Sequence, residues 1–281
     1  ESLLIEGGTT LSGTVRVSGA KNAALPIMAA VLLTEGPTVL HEVPRLRDVE
    51  TLIEILSELG VQIRRTGHAL RLEVTDESNR DAPYELVSQM RASVCTLGPL
   101  LAKRGEAHIP MPGGCVIGDR PVDLHLKGLR ALGADVEVSH GDIVARADRL
   151  TGTDIYLGGP SGSTVLGTAN VMMAAALAEG TTVIGYAACE PEVQELARFL
   201  NACGADIEGI GTHTLTIHGV DSLHGTEHTI IPDRVEAGTY AVAGAITGGE
   251  LTLTHVVPRH MQATTDVLRR AGCTVITEKE S

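Results

Sequence analysis

The sequence Leu-Gly-Ala-Asp-Val at residues 132–136 decides the fold of this chain, because three related pentapeptides accompany it. They are 59–63 (LGVQI), 203–207 (CGADI) and 271–275 (AGCTV). In each case the glycine follows a helix-like stretch and precedes an alternating, strand-like one, and successive glycines lie 73, 71 and 68 residues apart. Spacing this regular indicates a duplicated supersecondary unit.

A second series of glycines, found at Gly36, Gly105, Gly180 and Gly249, has steps of 69, 75 and 69 residues. Each follows an apolar helix-like stretch and precedes a strand-like one. Glycine at such a place accepts the left-handed backbone that ends a helix. The sequence therefore predicts a unit of about 70 residues: apolar helix, glycine stop, strand, loop, amphipathic helix, glycine stop, strand.

Alternating helices and strands assign the chain to the α/β class. We expect three units to complete one domain over residues 20–229. The fourth unit, 230–281, is left with residues 1–19, of which 2–17 are strand-like, as part of a second domain. That remainder is small for a core of its own, and a closed pair of domains needs six units. We therefore expect the chain to be a fragment, or to be completed by something outside it.

Composition argues against two classes of partner. Acidic residues outnumber basic ones by 35 to 22, a net charge of −13, which opposes attraction to nucleic acid or to an anionic membrane. There are only four tyrosines, one phenylalanine and no tryptophan on which bases could stack. The apolar runs are too short to span a bilayer, and no signal peptide is recognisable.

Five widely spaced cysteines, an odd number without a C-x-x-C pair, fit reduced thiols better than disulfides or zinc. We expect a soluble protein in the cytoplasm. Four of the five, Cys95, Cys189, Cys203 and Cys273, fall in helical or strand patterns and are predicted to be buried.

Cations recur at equivalent helix starts. Lys21, Arg91 and Arg234 lie 15, 14 and 15 residues before the first glycine of their units, and Arg47, Arg120 and Arg259 each lie 13 before the second. Equivalent ends of repeats face one side, so these charges and the helix dipoles predict an anion site. The alternative is that they are surface cations paired with neighbours such as Asp48 or Asp119.

The fifth thiol, Cys115, lies in the one irregular loop. The two glycine landmarks of a unit are 24, 28, 24 and 23 residues apart, and the excess in the second unit falls in residues 110–120, PMPGGCVIGDR. A glycine-rich loop can close over a ligand, and nearby cations make a thiol more nucleophilic. No Walker loop or metal triad competes, so we expect no cofactor and no metal. His125, on the next helix, is expected to face substrate or solvent.

Several segments carry a family resemblance. They are 18–24 (SGAKNAA), 90–93 (MRAS), 112–118 (PGGCVIG), 120–125 (RPVDLH), 177–182 (LAEGTT) and 232–238 (PDRVEAG). Together they resemble the UDP-N-acetylglucosamine enolpyruvyl transferases over the whole chain. The cysteine loop separates that family from the enolpyruvyl transferase of the shikimate pathway.

The resemblance implies an inside-out α/β barrel pair, three units to a domain, and two small-molecule substrates, phosphoenolpyruvate and UDP-N-acetylglucosamine. It implies that Lys21, Arg91 and Arg120 bind the phosphate and carboxylate of phosphoenolpyruvate and that Asn22 orients the reacting groups. Cys115 is implied as the general acid, able to form a covalent adduct. The implied contacts of the sugar nucleotide are Arg120, Pro121, Val122, Asp123, Leu124, His125, Ser163 and Thr164.

Two departures from the family pattern stand out. Residues 161–168 lack a lysine that some relatives carry, and the family's general base falls in units that these 281 residues do not contain. We therefore expect the chain alone to be inactive. Two other hypotheses remain: the shikimate-pathway transferase, and a non-catalytic binding or regulatory module.

Overall fold

A computed structural model describes residues 2, 4, 6–113, 121–160 and 162–278. The chain divides into two compact units. The large unit is Lys21–Ile230, and the small unit joins residues 1–20 to 231–281.

Most of the α-helices fall where the repeat predicts a helix; α3 is an additional short one. They are α1 Lys21–Ala30, α2 Arg47–Glu58, α3 Tyr84–Val87, α4 Leu97–Arg104, α5 Asp123–Ala131, α6 Val165–Ala175, α7 Pro191–Ala202, α8 Arg234–Ile246 and α9 Gln262–Arg270. Short 3-10 helices cover Val31–Leu33, Arg91–Thr96 and Pro258–Met261.

The strands are short, and most follow a helix of the same repeat. They are β1 Ser12–Arg16, β2 Thr34–Glu35, β3 Thr38–His41, β4 Val61–Thr66, β5 Ala69–Val74, β6 Glu106–Pro110, β7 Asp135–Ser139, β8 Asp142–Arg146, β9 Asp154–Tyr156, β10 Thr181–Gly185, β11 Asp206–Glu208, β12 Thr214–His218, β13 Leu223–His224, β14 Glu227–Thr229 and β15 Glu250–Thr254.

Three equivalent sheets build the large unit. Their strand orders are β14-β3-β5-β4, β6-β8-β7 and β9-β10-β12-β11. In the first sheet, the hairpin of β4 and β5 pairs antiparallel with β3, and the other edge of β3 pairs in parallel with β14 from another repeat. The third sheet has the same arrangement, with β9 parallel to β10. In the second sheet the bridge from Asp81 to His108 takes the parallel position. The last repeat donates β14 to the first, so the three repeats close into a ring.

Helices lie inside this ring and sheets outside. Residues 23–30 of α1 and 167–175 of α6 are buried throughout, so both helices are apolar on every side. Strands such as β4 alternate buried and exposed residues, which is typical of a sheet with one face in water. Helices surrounded by sheets are what the inside-out α/β barrel predicts.

The predicted left-handed glycines are confirmed at most landmarks. Gly36, Gly105 and Gly180 have φ of 78°, 73° and 85°, and the second series at residues 60, 133, 204 and 272 is also positive. The prediction for Gly249 is wrong, because the left-handed residue there is Gly248 with φ of 61°. Two consecutive glycines let the helix stop one residue early.

The small unit has a modest core. Strand β1 pairs in parallel with β15, and Val17, Ala237 and Met261 form the buried cluster, with Leu253 and Val256 packed against it. Helix α8 leaves Ile246 79% exposed.

Two strand predictions in the small unit are wrong. Residues 273–275 are not a strand, and within the described part of 2–17 only Ser12–Arg16 is one. An alternating sequence becomes a strand only when a neighbouring strand accepts its hydrogen bonds, as β15 does for β1. Across the described residues, no helix is long and apolar enough to cross a membrane.

Candidate functional site

Lys21 opens α1 and forms an ion pair with the start of the next helix. Its Nζ lies 2.8 Å from Oδ2 of Asp48, the second residue of α2. The alternative of pairing with Asp48 is therefore correct for this cation. The two side chains are 37% and 38% exposed, and such a pair is worth about 1 kcal/mol or less. An anionic ligand can compete for Lys21 at small cost. Asn22, the next residue, is exposed.

Arg91 opens the 3-10 helix Arg91–Thr96, which leads directly into α4. This start lies beside the start of α2, because Nη2 of Arg47 donates to Oε1 of Gln89 at 3.3 Å. Helix α1 packs against both α2 and the 3-10 helix. Three helix starts that carry cations are thus neighbours, as the repeat predicts, and their dipoles add to the positive potential.

Asp123 and His125 lie in the first turn of α5. His125 is 3% exposed, so the expectation that it could face solvent is wrong. Burial, followed by the nearby Arg91 charge, lowers the pKa of His125 from 6.5 to about 4, while Asp123 acts in the opposite sense. The imidazole is therefore neutral at pH 7. The start of α5 and the 3-10 helix that Arg91 opens form one cluster, because a single side-chain amide contacts both His125 and Val94.

Asn170 is a member of this cluster that the sequence reasoning missed. It lies in α6 at 0% exposure, and its Nδ2 is 2.8 Å from both the carbonyl oxygen of Val94 and Nδ1 of His125. Its Oδ1 accepts the backbone N–H of Gly98 at 2.8 Å. The signal was present in the sequence, because an amide within an otherwise apolar helix must find partners when buried.

The remaining expected contacts of the sugar nucleotide lie at the starts of α5 and α6. Pro121 is exposed, Val122 is buried, and Leu124 lies against Gly159. Thr164 is the N-cap of α6, where its Oγ1 accepts the N–H of Gly167 at 3.2 Å. Ser163 before it is half-buried. The roles of these residues in binding remain predictions.

The loop with the thiol that the sequence predicts to be reactive lies outside the described residues. Cys115 and Arg120 fall in 114–120, and residue 161 is likewise not described. Of the other thiols, Cys95 and Cys203 are buried as expected, and burial raises the pKa of each to about 12. Cys189 and Cys273 are half-buried, so the prediction of burial is wrong for them.

Arg234 and Arg259 belong to the small unit. Arg234 opens α8, whose N-cap Asp233 accepts the N–H groups of Val235 and Glu236 at 2.8 and 3.1 Å. Arg259 lies in the 3-10 helix Pro258–Met261. Among the residues that the structure describes, no group of three or more His, Cys, Asp or Glu side chains is arranged to hold a metal ion.

Comparison with known structures gives the fold class. The enolpyruvyl transferase NikO from Streptomyces tendae matches 98% of this chain and 65% of its own, with a TM-score of 0.86 and 25% identity. An EPSP synthase from Acinetobacter baumannii matches 95% of the chain and 60% of its own, at a TM-score of 0.73 and 20% identity, which shows the fold alone. The fold is therefore that of the enolpyruvyl transferases.

Sequence comparison identifies the family. The profile described as EPSP synthase (3-phosphoshikimate 1-carboxyvinyltransferase) matches residues 5–281. The chain belongs to this family. It is 52% identical over 280 residues to the UDP-N-acetylglucosamine 1-carboxyvinyltransferase of Methylacidiphilum infernorum, spanning 100% of the chain and 66% of that relative. It is 52% identical over 276 residues to the protein of that name in Dichelobacter nodosus, spanning 98% and 65%. The chain thus spans about two thirds of the relatives' length.

Proposed function

We propose that this chain is part of an enzyme that transfers the enolpyruvyl group of phosphoenolpyruvate to the 3'-hydroxyl of UDP-N-acetylglucosamine, with release of phosphate. The reaction commits the sugar nucleotide to peptidoglycan precursors. The proposal concerns the whole protein, of which these residues match about two thirds in its relatives. A cytoplasmic setting and the need for a general base outside these 281 residues are parts of the same proposal.

The observation that carries the proposal is that the helix starts bearing Lys21, Arg91 and the Asp123–His125 turn are neighbours in the large unit, joined by side-chain hydrogen bonds. Helix N-termini with basic side chains suit an anion that bears both phosphate and carboxylate. The names of the relatives at 50 to 52% identity support the choice of substrates.

The proposed chemistry needs an acid, fixed cations and a base. Cys115 gives its proton to the methylene carbon of phosphoenolpyruvate, which leaves positive charge on the adjacent carbon. The sugar hydroxyl attacks that carbon and loses its proton to the base. Phosphate then leaves with the C–O bond electrons, while the Cys115 thiolate takes a proton back from the methyl group, which restores the double bond and the thiol. Lys21, Arg91 and Arg120 hold the phosphate and carboxylate charge throughout.

Substrate positioning is proposed for the residues that flank these cations. Asn22, next to Lys21, orients the reacting groups. The segment 120–125 and the start of α6, at Ser163 and Thr164, hold the sugar nucleotide. Exposed Asp123 in the first turn of α5 is available for a hydroxyl or base N–H of that ligand.

An epoxide phosphonate that mimics phosphoenolpyruvate tests the site. We expect mass spectrometry of the treated chain to find the label on Cys115, and more of it when UDP-N-acetylglucosamine is present. Cys95 and Cys203 should stay unlabelled, because burial keeps the pKa of both thiols near about 12. Cys115→Ser is the matched control. Even labelling of all five thiols would count against the proposal.

The alternative acceptor is tested separately. The family description names a 3-phosphoshikimate 1-carboxyvinyltransferase, so phosphate release by the full-length protein should be assayed with UDP-N-acetylglucosamine and with shikimate 3-phosphate in parallel. Phosphate release with shikimate 3-phosphate and not with UDP-N-acetylglucosamine would show that the proposed acceptor is wrong. Binding of either ligand without turnover in the full-length protein would favour a non-catalytic module.

A further inference from the structure

Asn170 uses its side-chain amide to join three elements of the large unit. From α6, its Nδ2 reaches the carbonyl oxygen of Val94 in the 3-10 helix and Nδ1 of His125 in α5, both at 2.8 Å. Its Oδ1 accepts the N–H of Gly98, in the first turn of α4, at 2.8 Å. Both protons of the amide and its oxygen are thus committed, in a site with 0% exposure.

These bonds determine which nitrogen of His125 carries the proton. The oxygen of Asn170 is identified by the N–H group of Gly98, which can only donate, and its nitrogen by the carbonyl of Val94, which can only accept. Since Nδ2 is a donor, Nδ1 of His125 must accept. The neutral imidazole therefore carries its proton on Nε2.

The same amide holds the helix that Arg91 opens. Val94 lies one turn after Arg91 in this helix. The same turn is held by Ser93, whose Oγ donates to the carbonyl oxygen of Met90 at 2.6 Å. Asn170 thus bonds both to the backbone of the helix that Arg91 opens and to the ring of His125 in α5.

We propose that Asn170 is a positioning residue of the anion site: it acts through Val94 and His125 to keep Arg91 aimed at the ligand. This role deepens the proposed function and rests on the anion site assigned there. His125 is neutral, and the charges that act on its pKa are those of Arg91, which lowers it, and Asp123, which raises it. A purely structural amide would fix the same tautomer of His125 and stabilise the fold, but its loss would leave the affinity for an anion unchanged.

The first test is spectroscopic and is read on the wild-type chain, with one variant used only for assignment. In the full 281-residue chain, ¹⁵N NMR of the histidine rings, with His125 assigned through His125→Gln, should show the Nε2-protonated tautomer, without titration from pH 5.5 to 8. Protonation on Nδ1 in the wild-type chain would overturn the proposal.

The second test separates the donor from the packing. Asn170→Asp keeps the shape and the acceptor for Gly98 but loses both donor bonds, and Asn170→Ala loses all three. We expect each to weaken binding of phosphoenolpyruvate and inorganic phosphate by about tenfold at pH 7.5, measured by calorimetry. His125 should lose its fixed tautomer in Asn170→Ala and become protonated near neutral pH in Asn170→Asp, beside a carboxylate.

The matched control is Asn201→Ala. Asn201 in α7 also bridges backbone groups, donating to the carbonyl oxygen of Ile207 and accepting its N–H, both at 2.9 Å. Its loss should lower the melting temperature and leave both the His125 tautomer and anion affinity unchanged. Equal anion affinity in wild type and folded Asn170→Asp or Asn170→Ala would overturn the proposal.

Failure of the proposed function gives a different result. If the wild-type chain has the expected His125 tautomer but binds neither phosphoenolpyruvate nor phosphate, the proposed anion site is wrong. The positioning role is then wrong as well. If the wild-type chain binds the anion and the Asn170 variants bind it equally well, the positioning role is wrong and the anion site stands.

Discussion

His125 shows how one buried ring makes stability depend on pH. Burial and the Arg91 charge lower its folded pKa from 6.5 to about 4, so the unfolded chain binds the proton more readily. The contribution of His125 to the free energy of unfolding is therefore complete above pH 6.5. It is lost as the pH falls from about 6.5 towards 4.

We expect wild type to lose about 2 kcal/mol more than His125→Gln when the pH falls from 7 to 5. Urea unfolding of both chains at the two pH values measures the difference. His125→Gln removes the titrating ring and keeps a polar side chain of similar size. A difference that stays constant between pH 7 and 5 would show that His125 binds its proton as readily in the folded as in the unfolded chain.

The strength of the Lys21–Asp48 ion pair decides how easily Lys21 can turn to an anion in the free protein. Since both side chains are more than a third exposed, a double-mutant cycle of Lys21→Met and Asp48→Asn should give a coupling free energy below about 1 kcal/mol. Urea unfolding of the four chains measures it. A coupling above about 2 kcal/mol would mean that the pair resists opening by a ligand.

At the residue scale, the sequence predicted what is local and missed what is distant. The places of Lys21 and Arg91 at helix starts were predictable because they follow from the pattern within one repeat. Asn170 and His125 are 45 residues apart, and nothing near either one in the chain indicates the other. The pairing of Lys21 with Asp48 was foreseen only as an alternative, because the competition between a ligand and a neighbour depends on geometry.

Among the elements, α4 and α6 are in close contact at Gly98. A Cβ there would collide with the backbone carbonyl oxygen of Asn170. Alanine gains up to about 1 kcal/mol over glycine inside a helix, but overpacking against backbone costs about 1 to 3 kcal/mol. We expect Gly98→Ala to be destabilising in thermal unfolding. Gly7→Ala, where a Cβ meets nothing within 4 Å, is the control and should be neutral.

Gly180, between α6 and β10, tests the left-handed stop without any packing effect. Its φ is 85° and a Cβ would meet nothing within 4 Å. Gly180→Ala should therefore cost about 1 to 2 kcal/mol from the backbone alone. Gly180→Asn should cost less, because asparagine tolerates this conformation. Equal unfolding free energies for glycine and alanine at this position would contradict the strain argument.

Elements were predictable where the repeat supplies both a pattern and a partner. The helices ending at Gly60, Gly133 and Gly204 are each followed by the expected strand. The same pattern after Gly272 gives none, although the helix and glycine are present. A strand needs a second segment to accept its hydrogen bonds. The local sequence therefore indicates only that a strand is favourable, and the tertiary structure decides whether it forms.

For the molecule as a whole, the two units differ in how much they bury. Helices α1 and α6 are enclosed over most of their length, whereas α8 buries Ala237 and Gly244, and α9 has no buried residue along its described length. Local opening is governed by such burial. We expect hydrogen exchange by mass spectrometry to show α8 and α9 exchanging far sooner than α1 and α6. Equal protection in the two sets would contradict this.

The donated strands have a consequence for synthesis of the chain. Residues 38–41 of β3 receive their parallel partner from residues 227–229, at the far end of the large unit. While the ribosome is still making the second and third repeats, one edge of the first sheet has no native neighbour, and open edges invite wrong pairing. Folding one repeat after another from the amino terminus therefore cannot complete the ring. Strand β3 obtains its parallel partner β14 only after residues 227–229 have been made.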